Sequence, residues 1–539
     1  MLVTVVGALL LWFAPLGSYR LFNPDEGRYA EIPREMVASG DWVTPRLNAI
    51  KYFEKPPLHY WATATAFSLF GEHEWTARLW VALTGFLGLL LTAWIGTRIY
   101  GALVGVTAAL VQGGALLYLA LARMSTLDMG LAIALELALA GLLLLVATPA
   151  ANVRLERGGA LLLALGTALA FLSKGLIGIL IPGAVASLYL LLRRDWRLLL
   201  RARPWWTVIA LLLIGAPWVF LVSQRNPEFA RFFFVHEHFE RFLTRVHARY
   251  EPDWFFVPVL LVGFMPWTAL LPATIARSWR ACRAGECATW MLVLWVLFSF
   301  LFFSVSQSKL IPYILPIFPA LALLAGRCIH ELPVARLRRA LAVAAALWLA
   351  LALALLVVWH STVWAMRLEI NDGPAAPLMA ASFLVAALLC ALAARVALRH
   401  GSLTSVAVAA FSTVVLLGVL PPAADQLPRQ RELTRLIAAV RPELHASTAF
   451  YCVDDYQQSI PFYLQRPCTL VGYRGELDFG LQQEPRRWLA DLGQFADHWR
   501  LEGSALAVVR SNSYAKLLQM GLPMRVIYTA PSLVAVVKP

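Results

Sequence analysis

Charge is scarce in this 539-residue chain: Asp, Glu, Lys and Arg together make up 14% of it, while 60% of the residues are hydrophobic. An ordinary soluble domain carries about 25% charged and about 45–50% apolar residues. The apolar excess falls in many separate runs, more than one soluble core absorbs, which excludes a single-domain soluble enzyme. The six cysteines form no CxxC pair and no zinc-finger spacing. No Walker sequence offers a nucleotide loop, no internal repeat marks a solenoid, and no segment is of low complexity. Met1 opens directly into apolar sequence with no signal peptide before it, and the true N-terminus is left open.

What is present reads as a polytopic α-helical membrane protein. Allowing roughly 20 apolar residues per crossing, about thirteen spanning helices are expected. They lie near 1–19, 76–98, 102–122, 128–148, 159–173, 176–192, 205–223, 254–275, 288–305, 311–326, 338–358, 376–396 and 404–422. The stretch 57–70 is too short to cross comfortably and is assigned, with 24–39, to helices along the membrane surface. Much of the formal net charge of +14 is Arg in alternate short loops: Arg154 and Arg157; Arg193, Arg194, Arg197, Arg201 and Arg203; Arg277, Arg280 and Arg283; Arg327, Arg336, Arg338 and Arg339; Arg395 and Arg399. This alternation makes those loops cytoplasmic and accounts for the basic charge without nucleic acid.

The opposite face then holds loops 20–75 and 224–253 and the tail. The chain divides into a membrane unit, 1–423, and a tail unit, 424–539. Within the tail, 431–539 reads as a small α/β domain, with strand-like runs at Thr448–Val453, Ala505–Val509, Met524–Tyr528 and Leu533–Val537. Cys452 and Cys468 fall here, where a disulfide is one reading.

Candidate chemistry gathers on that same face. In Asn23-Pro-Asp-Glu-Gly-Arg-Tyr29, Asn23 as N-cap, Pro24 at the first position and acids in the first turn spell a helix start. At a membrane face, however, Asp25 is also a carboxylate able to position or deprotonate an acceptor. In Lys51-Tyr-Phe-Glu-Lys-Pro56, Lys55 reads as an interfacial anchor or as a lipid-phosphate contact, and Glu54 as an ion-pair partner or a metal ligand. Asp128 favours a helix N-terminus, with Thr126 capping, or acts as a second carboxylate of the site. Lys174, and Lys309 ahead of Tyr313, supply cations at the same face. The run Phe232–Phe242 carries His236, His238 and Arg241, with Arg245 following. His-x-His alone is half of a metal site, because strict ligand sets need three or four groups. Glu136 lies inside a span, a functional hypothesis by default, and the sequence names no partner for it.

Together these segments resemble the GT-C glycosyltransferases, and among them the bacterial lipid A aminoarabinose transferases, a group similar to the protein mannosyltransferases. The matching pieces are PDEGRYAEIPREM with SGDW (24–42), YFEKP (52–56), LD (127–128), SKG (173–175), FFFVHEHFERF (232–242) and SKLIPYILP (308–316). The resemblance implies a GT-C fold that moves 4-amino-4-deoxy-L-arabinose from undecaprenyl phosphate to lipid A phosphate, giving resistance to polymyxin. The setting it implies is the Gram-negative inner membrane, with the active site and tail in the periplasm. It makes Asp25 and Asp128 catalytic, and Arg28, Tyr29, Tyr52, Lys55, Lys174, Arg241, Arg245, Lys309 and Tyr313 substrate contacts. Glu54 with His238 or His236 would hold a divalent metal, zinc before others; no nucleotide is needed and a monomer is expected. Other readings are a related transferase acting on a protein or glycan and, from another class, a lipid transporter; transporters commonly show paired repeats and midplane polar groups, whereas here the charges gather at one membrane face and the spans lack an obvious repeat.

Overall fold

The computed structural model describes residues 2–148, 152–240, 251–361 and 375–539, without the side chains of 2–6, 8 and 238–240. Among these residues, eight helices are long and apolar enough to cross a membrane. The number is nine when Phe256–Gly263 and Thr268–Arg283, bent by 108°, count as one crossing. The thirteen expected stretches exceed this number for two reasons. The helices Leu2–Phe13, Ala102–Gly113 and Ile177–Arg193 are short, and the stretches 376–396 and 404–422, two helices that meet without a gap, count once within Ala375–Ala424. Gly401 breaks that helix with φ 81° and ψ 176°, a backbone conformation open to glycine at little cost. Inside the bundle, Thr92 Oγ1 donates to Glu136 at 2.6 Å, the partner that the sequence did not name.

The first loop contains both expected surface helices, Asp25–Ser39 and Leu58–Phe70. The helix start differs from expectation. Pro24 takes the N-cap position, and Asn23 Oδ1 instead accepts the Ser459 N–H of the tail at 3.0 Å. Glu26 turns back to accept the Phe22 N–H at 3.0 Å. Thr126 does not cap either; Leu127 is the N-cap of Asp128–Ala147. Between the surface helices, β1 (Arg46–Leu47) and β2 (Ile50–Lys51) form a hairpin whose two turn residues, Asn48 and Ala49, have φ of 57° and 60°. Two successive positive φ values match the twist of a tight hairpin.

A buried ion pair anchors this loop to the bundle. Arg78 Nε and Nη2 meet the two Glu26 oxygens at 2.7 and 2.8 Å, and neither side chain is exposed. The guanidinium also donates to the carbonyls of Leu16, Tyr19 and Arg20, while Glu26 accepts the Ser125 N–H. Three chain segments are thereby fixed at one point.

Further along the first helix, Arg34 clasps Glu31 through two bonds of 2.6 Å, and both Glu35 oxygens accept the Ala49 N–H, at 3.0 and 2.8 Å. Burial, with Glu31 alongside, pushes the Glu35 carboxyl well above the ordinary carboxylate range. An acid whose pKa rises on folding adds stability below its unfolded pKa and loses it as pH climbs through the folded value. Glu35→Gln keeps an acceptor for Ala49. It is expected to unfold at a higher temperature than the parent at about pH 8 and to lose that advantage by about pH 5, as a thermal unfolding series would show.

The tail is built on six strands: β3 (Ala449–Val453), β4 (Thr469–Val471), β5 (Trp488–Leu489), β6 (Ala505–Arg510), β7 (Arg525–Thr529) and β8 (Leu533–Val537), in the order β5-β4-β3-β6-β8-β7. The first four run parallel, while β8 is antiparallel to both β6 and β7. The four longer strands sit where alternation placed them; β4 and β5 are too short to show a period. A disulfide joins Cys452 in β3 to Cys468 just before β4.

This sheet domain is docked onto the first loop. Asn48 exchanges two 2.8 Å hydrogen bonds with the backbone of Cys468. Gly27 lies so close to Gln458 and Ser459 that a Cβ there would stand 2.5 Å from the Ser459 nitrogen. Glycine at 27 is required by that approach rather than by its helix.

Candidate active site

The Asp25–Ser39 helix presents Asp25, Arg28 and Tyr29 from its first turn. Arg28 is buried and bridges two carboxylates: Nη1 meets Asp25 at 3.1 Å, and Nε and Nη2 meet Glu476 of the tail at 3.3 and 3.2 Å. Gln458 donates to the same Glu476 oxygen at 2.7 Å, and Tyr473 to the other at 3.3 Å. The side chain of Asp25 is 48% exposed, whereas Arg28 is 6% and Glu476 17% exposed. A guanidinium held on both sides in this way fixes the carboxylate of Asp25 while leaving it open to a substrate.

Around this pair stand three phenols. Tyr29, Tyr52 and Tyr60 are buried, and Tyr29 stacks on Tyr60 with ring centroids 6.3 Å apart. Tyr29 lies in the electrostatic field of Arg28, Asp25, Glu54 and Asp128, and Tyr52 in that of Arg28, Glu54, Tyr29 and Tyr60. Burial pushes all three phenols up, so they stay protonated and able to donate. The hydroxyls of Tyr52 and Tyr60 have no hydrogen-bond partner among the described residues. His59 packs edge-on against Tyr29, and burial lowers its imidazole to about 3, which keeps it neutral.

The cations form two further pairs. Lys174 Nζ meets Asp128 Oδ1 at 2.5 Å and lies 4.5 Å from the centroid of the Tyr313 ring. Lys55 Nζ donates to the Glu54 carbonyl at 2.7 Å and to Glu237 Oε2 at 2.9 Å. Segment 231–240, which carries Glu237 and His236, is bound to the tail by aromatics. Phe232 stacks on Phe479 at 4.0 Å, and the His236 ring stacks on Phe232 at 5.2 Å.

The structure therefore places Glu54 and Asp128 in the field of the cluster of Asp25, Arg28, Tyr29 and Tyr52, with Lys174 paired to Asp128 and Tyr313 beside Lys174. Lys55 enters through Glu237, whose charge reaches Tyr60. Lys309 is buried, donates to the Glu251 carbonyl at 2.9 Å and pairs with Asp253 at 3.5 Å. Arg241, Arg245 and the side chain of His238 lie outside the described residues. Among the described residues, no group of three or more His, Cys, Asp or Glu side chains is placed to hold a metal ion. Glu54 and His236 alone do not make a strict zinc set, so no step is assigned to a metal. Sequence reasoning missed Glu237, Tyr60, Glu476 and Gln458. Glu237 sits between the two histidines, where an acid beside a lysine-bearing loop was the available signal. Glu476 and Gln458 carry no local signal at all.

Residues 1–233 match the dolichyl-phosphate-mannose-protein mannosyltransferase family, and residues 436–538 match the aminoarabinose transferase C-terminal domain. The undecaprenyl phosphate-alpha-4-amino-4-deoxy-L-arabinose arabinosyl transferase of Pseudomonas aeruginosa strain UCBPP-PA14 is 31% identical over 521 residues, covering 95% of this chain and 93% of its own. The chain belongs to the undecaprenyl phosphate-aminoarabinose arabinosyl transferase family. It is a polytopic membrane glycosyltransferase with the GT-C fold. The family member of the same name from Edwardsiella ictaluri strain 93-146 is 34% identical over 325 residues; that match spans 60% of this chain and 58% of the relative. Two crystal structures of a family member, ArnT from Cupriavidus metallidurans, are 36% identical to this chain. The form bound to undecaprenyl phosphate has a TM-score of 0.92, covering all of this chain and 98% of that one. The apo form has a TM-score of 0.89, covering all of this chain and 97% of that one.

Proposed function

We propose that this protein transfers 4-amino-4-deoxy-L-arabinose from undecaprenyl phosphate to a phosphate of lipid A. The observation that carries this reading is the fit of the whole chain, at a TM-score of 0.92, to a relative whose structure contains undecaprenyl phosphate. The proposed setting is the periplasmic face of a Gram-negative inner membrane. Arginine-rich loops on the other face support that orientation. So does the Cys452–Cys468 disulfide, a bond of oxidising compartments.

The charge bookkeeping of this reaction is simple. The bond between the sugar C1 and the carrier phosphate oxygen breaks, and its electrons stay with the carrier, which goes from diester monoanion to monoester dianion. A bond forms from an oxygen of the acceptor phosphate to C1, and that phosphate goes from monoester dianion to diester monoanion. No proton has to move. Asp25 is accordingly proposed to hold the sugar or the acceptor in line rather than to act as a strong base, with Arg28 and Glu476 fixing its orientation. Lys55 stabilises the charge that grows on the departing carrier phosphate, an interaction strongest in the transition state. Asp128, with Lys174 beside it, is the second acid, suited to the sugar amine or to the approach of the acceptor. The buried hydroxyls of Tyr52 and Tyr60 suit the polar rim of a pentose, which would satisfy groups otherwise left unpaired. A metal at Glu54 and His236 or His238 is not needed by these steps, and metal analysis of purified protein tests it separately.

The acceptor assignment is tested by giving the enzyme carrier-linked aminoarabinose with either phosphorylated or phosphatase-treated lipid A. Transfer to the first and none to the second is expected. Transfer to a protein or glycan hydroxyl would favour a related transferase of the same fold.

A further inference from the structure

We propose that Glu237 is a built-in occupant of the carrier-phosphate position, holding Lys55 while no donor is bound and competing with the spent carrier for it afterwards. This rests on the reading of Lys55 as the phosphate contact. The Glu237 carboxylate is 2% exposed and its Oε2 stands 2.9 Å from the Lys55 ammonium, which is itself 13% exposed. Tyr60 lies in the electrostatic field of Glu237 as well as of Arg28 and Glu54. Glu237 comes from a different segment of chain, Arg231–Glu240, far from Lys55 in sequence.

An ammonium buried without a counter-charge is costly. In the absence of donor, Glu237 removes that cost. A carboxylate and a phosphodiester each carry one negative charge, so the donor can replace Glu237 without changing the net charge at Lys55. The exchange lowers apparent affinity by the fraction of time that Lys55 is engaged elsewhere. After transfer, the carrier is a dianion and binds Lys55 more strongly than the donor did. A carboxylate on hand to retake the lysine then speeds release of that product. Glu237 is thus an affinity-setting residue that acts through Lys55 and touches no reacting atom.

The test is titration of purified wild type, E237Q, E237D and K55A with undecaprenyl phosphate in detergent, alongside steady-state kinetics with that compound as product inhibitor. E237Q is expected to bind it about tenfold more tightly, the factor for a lysine engaged about nine-tenths of the time. Its inhibition constant should fall by the same factor, and kcat should fall as release slows. E237D, withdrawn by one methylene, should show a smaller gain of the same sign, which carries the test if E237Q does not fold. K55A should weaken binding, and combining it with E237Q in a K55A/E237Q double variant should cancel the gain. Unchanged or weaker binding by folded E237Q or E237D, with K55A impaired, would overturn this role for Glu237 alone. Unchanged binding by K55A would overturn the reading of Lys55 and this proposal with it.

Discussion

Asp25→Asn is expected to cut sugar transfer by about 10²-fold or more through lost positioning, while leaving the protein folded and able to bind carrier. The structure explains why the two effects separate. The Asp25 side chain is half exposed, and its ion-pair partner Arg28 stays anchored to Glu476 when Asp25 becomes neutral. The lysine proposed for the carrier phosphate is held by Glu54 and Glu237, not by Asp25. A transfer assay, a thermal unfolding curve and a carrier titration on the same preparation check all three points. Turnover like that of the wild type would remove Asp25 from the mechanism.

The adjacent acid should behave in the opposite way. Glu26→Ala leaves the Arg78 guanidinium fully buried without its counter-charge and strips the Phe22 and Ser125 N–H groups of their acceptor. Breaking a buried pair from one side costs about 3–5 kcal/mol, a large share of the stability of a folded domain. The expected result is little or no monodisperse protein after extraction, and a sharply lowered unfolding temperature for what remains. The Glu26→Ala, Arg78→Leu double variant should recover only part of the loss, because Arg78 also serves three backbone carbonyls. Normal yield and unfolding temperature for Glu26→Ala alone would contradict the anchoring role.

Asp25 and Glu26 show where sequence reading ends. Side by side in one helix turn, both look like first-turn acids. What separates them is Arg78, fifty-two residues on, which buries one and leaves the other open. The two helices of the first loop and the longer strands of the tail were legible from local period, and the acids and cations were legible as candidates from short motifs. Asn23 was misread as a cap because its true partner, Ser459, lies 436 residues away. Glu476 and Gln458 were invisible for the same reason: only the docking of the sheet domain brings them to Arg28. The number of crossings was blurred for another reason, since short helices give apolar runs like those of full spans, and two helices meeting without a gap at Gly401 count as one.

The most direct test of the account is a reconstituted reaction. Purified protein would receive undecaprenyl phosphate-linked aminoarabinose and lipid A, and the lipid A would be read by mass spectrometry with fragmentation to locate the added group. The account predicts a gain of one aminoarabinose on a lipid A phosphate, dependent on protein and absent with Asp25→Asn. Intact lipid A after full exposure to a bound donor would contradict it.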